Sequence, residues 1–209
     1  MIRVKTPWQN QMGDLPMHLS YFEGSMVAAI ENCAARYPGS IAFDFMGKST
    51  TYKQLLQQIK ICAKALNAMG IRENDNVTIA MPNCPQAVIL FYAVNMAGGI
   101  ANMIHPLSAE KEIEFYLNQS GSVLAITLDL FYHKFEAVRK NTGLLNTIVT
   151  GIADQLPLPV RAGYKLTQAE KKPKLPINAP VIGWHAFMKR GKACGSEYRV
   201  IRSAQDPAV

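Results

Sequence analysis

The two common glycine-rich phosphate cradles are absent from this sequence. Neither G-x-x-x-x-G-K-[ST] nor a G-x-G-x-x-G after a strand occurs, so neither fingerprint can supply nucleotide chemistry here. Cys33, Cys62, Cys84 and Cys194 form no C-x-x-C pair, and no histidine stands at metal spacing. Free thiols are therefore expected rather than a disulfide or zinc framework. His18, His105, His133 and His185 are far apart, and none is joined to a Ser or Cys in a nucleophile elbow. The first seven residues lack a continuous apolar core, so no secretory signal is read. A cytoplasmic, reducing location fits these absences.

Charge is also scarce, at 18% of residues. Asp75 and Glu110 bracket 34 residues without a formal charge. A bilayer span needs ~20 predominantly apolar residues, but Pro82, Asn83, Pro85, Asn95, Gly98, Gly99, Asn102 and His105 interrupt this stretch. It reads instead as strand–turn–helix–turn–strand, buried on several faces.

What is present is a globular composition: 209 residues, 49% apolar, with a net charge of +7. That length gives one to two domains and excludes disorder, collagen and a small disulfide scaffold. The charge is divided unevenly. Residues 1–133 carry 9 basic and 10 acidic side chains, whereas residues 134–209 carry 13 basic and 5 acidic. Such a split raises nucleic acid, an anionic membrane or an acidic partner. The basic third interleaves only Tyr164, Trp184, Phe187 and Tyr198 and has no nucleic-acid reading motif, so no nucleic-acid partner is expected.

Along the chain, residues 19–37 read as a helix stopped by Pro38-Gly39, and 41–46 as a strand turned by Gly47-Lys48 into a second one. Thr51-Tyr52-Lys53-Gln54 matches a capping box. Leu55, Ile59, Cys62, Leu66 and Met69 follow on one helical face closed by Gly70. Strands at 77–81, 100–104, 123–127 and 146–150 then alternate with helices at 86–97, 109–119 (begun by Ser108) and 130–140. Repeated β–α–β units predict an α/β fold, a mainly parallel sheet flanked by helices. Regular structure fades after Thr150, where five prolines fall between 151 and 180; 184–188 reads as one or two helical turns and 197–202 as a short strand. Residues 1–150 are thus expected to form an α/β core, and 151–209 a basic, proline-rich connection opening the next part.

Each candidate site has a plainer reading. Gly191-Lys192-Ala193-Cys194-Gly195-Ser196 could hold an anion, but reads as a solvated basic loop. His105 precedes Pro106 at a strand end, where sheet ligands bind; it reads as structural. Glu110, Glu112 and Glu114 resemble paired carboxylates but suit the positive end of a helix. No catalytic, cofactor-binding or metal residue is assigned.

One ordered series is less anonymous. Thr51-Tyr52-Lys53-Gln54-Leu55, then Ala65 to Ile71, Asp75-Asn76-Val77, Met81-Pro82-Asn83-Cys84-Pro85, Phe91-Tyr92-Ala93, Ala97-Gly98-Gly99, His105-Pro106-Leu107 and Glu112-Ile113 follow one another. Together they resemble the N-terminal portion of AMP-forming acyl-CoA synthetases, of the adenylate-forming superfamily. Residues 203–209 are similar to the segment leading into that family's phosphate loop. Asn74 stands where the family usually has Gly, and His105 where Asn commonly precedes the proline; Asn also tolerates a left-handed turn.

The resemblance implies a ligase. A carboxylate attacks the α-phosphate of Mg-ATP, giving an acyl-adenylate and pyrophosphate, and coenzyme A then takes the acyl group. ATP, Mg and CoA are cofactors of the full-length enzyme; none is expected to bind this fragment tightly, because the family's phosphate loop, nucleotide-contacting segments and catalytic lysine lie downstream. The implied partners are the missing C-terminal remainder and a carboxylic acid substrate, medium- or long-chain and fatty in preference. Peripheral membrane contact is the most that is expected, and a homodimer stays open. The fragment is expected to be inactive alone; the alternative is a free-standing interaction or regulatory module. Much of the late positive charge is expected on segments facing the absent remainder.

Overall fold

The computed structural model describes residues 8, 11–16, 18–157, 160, 163–164, 180–195 and 198–209. Helix α1 is Met26–Arg36, shorter than the 19–37 expected. Ser25 is its N-cap, its side chain accepting from the Ala28 amide at 3.2 Å. Leu19, Tyr21 and Phe22 mimic an amphipathic start but stay largely exposed and non-helical. Strands β1 (Ile41–Phe45) and β2 (Lys48–Thr51) form an antiparallel hairpin. The turn is Met46-Gly47, one residue before the position expected. Both residues have positive φ, as a tight hairpin with the native strand twist demands.

The capping box opens α2 (Tyr52–Ala68) as expected. The Gln54 amide donates to Thr51 Oγ1 at 3.3 Å, and the Thr51 amide to Gln54 Oε1 at 2.9 Å. Leu55, Ile59, Cys62 and Leu66 are all buried. The uncharged stretch becomes β3 (Asn76–Ala80), α3 (Pro85–Met96) and β4 (Ile100–Met103). Asn74 enters it with φ of 66°, the left-handed turn its side chain tolerates. Then come α4 (Glu110–Ser120), β5 (Leu124–Leu128), α5 (Tyr132–Val138) and β6 (Asn146–Thr150). The N-cap of α4 is Ala109 rather than Ser108.

The sheet continues beyond β6, past the point where regular structure is expected to fade. β7 (Val181–Gly183) pairs in parallel with Thr147–Val149 of β6. It runs into α6 (Trp184–Ala193), ten residues where one or two turns were expected. Of the expected strand at 197–202, Glu197 lies outside the described residues, and 198–202 forms none. Most of the proline-marked stretch after Thr150 also lies outside them.

The sheet order among described residues is β4-β3-β5-β6-β7, all pairs parallel. Along β5, Leu124, Ile126 and Leu128 join one core with α1, α2, α3 and α6, while Ala125 joins the other, with Ile113 and Leu117 of α4 and Phe135 of α5. Period-two alternation thus sorts the helices into two layers. α3 is apolar almost all round, as befits a helix held between the sheet and α2. In the described part of the basic third, Trp184 and Phe187 are buried in the main core, and Arg199 pairs with Glu31 at 3.0 Å.

Candidate functional site

Strand β3 is the pivot of the sheet. Its neighbours are β4, which follows it, and β5, which is reached by a connection crossing back over β3. The order in which strands are added to the sheet therefore reverses between β3 and β5, the kind of switch point at which open α/β sheets bind ligands outside their strands' carboxyl ends.

A cleft of about 510 Å³ lies there. Met81, Pro82 and Asn83 leave β3, His105, Pro106 and Leu107 follow β4, and Leu128, Leu130 and Phe131 come from the end of β5. Ile152, just after β6, completes the wall. The lining is apolar apart from Asn83 and His105, and it carries no formal charge. A second apolar groove, of about 470 Å³, shares Asn83 and runs between the β1–β2 hairpin and α3, along Phe43, Phe45, Phe91, Tyr92 and Met103.

The loops around the cleft are held by polar clamps. Lys134 of α5 donates to the carbonyls of Leu107 and Ser108 at 3.0 and 2.8 Å, fixing the loop after β4. Within that loop the Leu107 amide donates to His105 Nδ1 at 3.2 Å. His105 is exposed at the cleft and its Nδ1 takes part in this turn. Behind the cleft Gln86 is fully buried; its Nε2 donates to Thr150 Oγ1 at 3.2 Å and to the Gly151 carbonyl at 3.0 Å. Asp154 then accepts from Thr150 Oγ1 at 3.2 Å and from the Gly151 amide at 3.0 Å, and stands 3.3 Å from His185 Nε2. Sequence reading passed over Gln86 and Lys134. The available signal was Gln86 itself, a polar residue at the head of a helix whose other buried amide side chain is Asn95.

The remaining candidates separate. Glu112 accepts from the Ala109 amide at 2.8 Å, and Glu114 from Asn141 Nδ2 at 3.1 Å. They serve the N-terminal turn of α4 and a neighbouring loop, and do not act as a carboxylate pair. Gly191, Lys192 and Ala193 belong to the last turn of α6, whose negative end disfavours an anion; Ser196 lies outside the described residues. The candidate anion loop is thus a helix end. The four cysteines are unpaired. Burial pushes up the thiols of Cys62 and Cys84, so neither is an activated nucleophile.

Among the described residues no three His, Cys, Asp or Glu side chains gather where they could hold a metal ion. The lining of the cleft includes no Asp, Glu, Lys or Arg side chain. No described helix is long and apolar enough to cross a membrane.

Comparison with known proteins gives this architecture a family. The model of the AMP-binding enzymes matches residues 30–208. A long-chain-fatty-acid–CoA ligase of Bacillus subtilis (strain 168) is 33% identical over 171 residues, 81% of this chain and 30% of the ligase. The ligase of the same name from Salmonella typhimurium is 31% identical over 73% of this chain and 28% of its own length. The chain therefore spans about 30% of these relatives. In fold, it resembles an anthranilate CoA ligase bound to anthranoyl-AMP (TM-score 0.65, 18% identity, 93% of this chain and 31% of that one). It also resembles a benzoate CoA ligase from Burkholderia xenovorans LB400 (TM-score 0.61, 16% identity, 89% and 31%). The chain belongs to the AMP-binding enzyme family.

Proposed function

We propose that this chain is the N-terminal part of an AMP-forming acid–CoA ligase, acting on medium- or long-chain fatty acids through an acyl-adenylate. The observation that carries the reading is the match to long-chain-fatty-acid–CoA ligases over four-fifths of this chain but under a third of theirs. Adenylation spreads negative charge over phosphate oxygens, so its catalyst needs cations, metal or aligned amides around them. The cleft at the β3–β5 reversal has none of the first two. In this reading residues 1–150 are the scaffold and offer an apolar wall, residues 151–209 lead into the next part, and the charge-stabilising groups come from the rest of the longer protein. Four unpaired thiols support a reducing compartment.

The test is acid-dependent ATP–pyrophosphate exchange with a series of fatty acids, run on the 209-residue chain and on the full product of its reading frame. Exchange is expected from the longer product alone. Exchange by the short chain, none by the longer product with any acid, or a reading frame that stops after Val209 overturns the proposal. The last of these leaves the free-standing module in its place.

A further inference from the structure

A second stripe runs along α2 beside the one that enters the core. Lys53, Leu56, Gln57, Lys60, Ile61 and Lys64 follow one another at steps that keep them on one helical face. All of them line a groove of about 540 Å³, whose far wall is Glu31, Ala34 and Ala35 of α1. From Lys53 to Lys64 the helix rises about 16 Å, three turns. The floor is apolar: Ala34 is buried, and Leu56 and Ile61 are half-buried. The α1 wall is low, since two of its three lining residues are alanines. α2 contains no acidic residue. The acid of the groove, Glu31, is already paired with Arg199 at 3.0 Å, so the lysines decide the sign of the charge. Lys64 donates to the Cys194 carbonyl at 3.2 Å, which ties that end of the groove to the end of α6.

We propose that this groove docks an acidic amphipathic helix of a partner protein. A helix laid in a groove presents side chains at i, i+3, i+4 and i+7. Carboxylates spaced seven and four residues apart on the partner meet Lys53, Lys60 and Lys64, which have that spacing. Apolar side chains between them cover Leu56 and Ile61. The alanines of α1 let the partner's backbone approach to the roughly 8–10 Å at which helices pack. Covering the floor supplies affinity, and the lysines supply steering and register. A bilayer is the weaker fit, because a flat surface bridges the groove and leaves its floor uncovered. Nucleic acid is weaker too: single strands stack on exposed aromatics, and the groove is lined by none.

The test is fluorescence anisotropy of the 209-residue chain with a labelled alanine-based helical peptide of about 20 residues. Its glutamates stand at i, i+4, i+7 and i+11, which match the lysines in either chain direction, with leucines at i+3 and i+8. A second peptide has the same composition with its glutamates spread around the helix. The first peptide is expected to bind, less tightly as salt rises, and the second about tenfold more weakly. K53Q/K60Q weakens the first about tenfold. Ala35→Leu, which fills the groove and leaves its charge alone, does the same. K111Q/K140Q, on the opposite layer, leaves binding within about twofold. All variants are checked for unchanged circular dichroism and thermal midpoint. K53E/K60E binds a peptide with lysines in place of the glutamates, which a misfolded chain cannot do. No binding, equal binding of both peptides, or no loss in K53Q/K60Q or Ala35→Leu overturns the proposal. So does tighter binding to phosphatidylglycerol vesicles or duplex DNA than to the first peptide. No ATP or acid enters this assay, so its result stands apart from that of the exchange assay.

Discussion

Gly191 of α6 lies against the backbone of Ile61 in α2, so close that a Cβ added to it would sit 2.0 Å from the Ile61 carbonyl oxygen and 3.1 Å from Ala65 Cβ. The two helices meet there with no side chain between them. Phe187, one turn earlier on α6, is fully buried because of that approach. Gly191→Ala forces the helices apart and loosens the packing of Phe187 and Trp184. The expected cost is about 3 kcal/mol or more, at the upper end of overpacking, measured by urea unfolding with the slope unchanged. A cost below about 0.5 kcal/mol, typical of a surface substitution, refutes the close-approach reading.

How far these features can be read in advance depends on whether their cause is local. α2 was legible because its signals lie within one stretch: the Thr51–Gln54 box, the apolar spacing from Leu55 to Met69, and Gly70. Three residues, Val181–Gly183, hold too little pattern to announce a strand; β7 exists because β6 offers a parallel edge at Thr147–Val149. Gly191 looked like loop chemistry beside lysines, since the reason for a glycine is Ile61, 130 residues earlier. The cleft was illegible for a related reason. Its lining comes from four separated segments, and they meet only because the order of strand addition reverses between β3 and β5. No cluster of titratable residues marks it, so a search for catalytic spacing could not find it.

Arg202 fastens the last twelve residues to the edge of the sheet. Its guanidinium donates to the carbonyls of Gly98 and Pro207, the latter at 3.0 Å, and to Asn74 Oδ1 at 3.3 Å. The Ala101 amide, on the outer edge of β4, donates to the Ala208 carbonyl at 3.0 Å, and the Val200 amide to that of Met96 at 2.9 Å. Gly98, with φ of 88°, leaves room for the Val200 side chain that a Cβ would meet at 2.9 Å. Arg202→Ala removes a charged donor from three acceptors, worth about 2 kcal/mol of local stability. Amide exchange at Ala101 and Val200 is expected to speed up about thirtyfold, while amides of β5 are unchanged. Equal protection at Ala101 in both proteins refutes the latch.

Tyr132, Glu136 and Arg139 form a chain whose titration shows at both ends of the pH scale. The Tyr132 hydroxyl donates to Glu136 Oε2 at 2.9 Å, and Arg139 donates to both carboxylate oxygens at 3.1 and 3.0 Å. Arg139, followed by the Tyr132 hydroxyl, holds the Glu136 carboxyl below its usual range against the opposing effect of burial. Burial first, then the bond to Glu136, pushes the Tyr132 phenol up to about 12 from its ordinary value of 10.0. For the carboxylate, the stability is present above its unfolded pKa and is lost as pH falls through the lower folded one. For the phenol the sign reverses: the folded state keeps its proton longer, so stability is full below about pH 10 and falls between about 10 and 12. Tyr132→Phe should make that alkaline decline shallower by at most one proton, about 1.4 kcal/mol per pH unit. Glu136→Gln should flatten the acid limb. The measurement is urea unfolding at closely spaced pH, and slopes identical to the parent in both variants contradict the assignment.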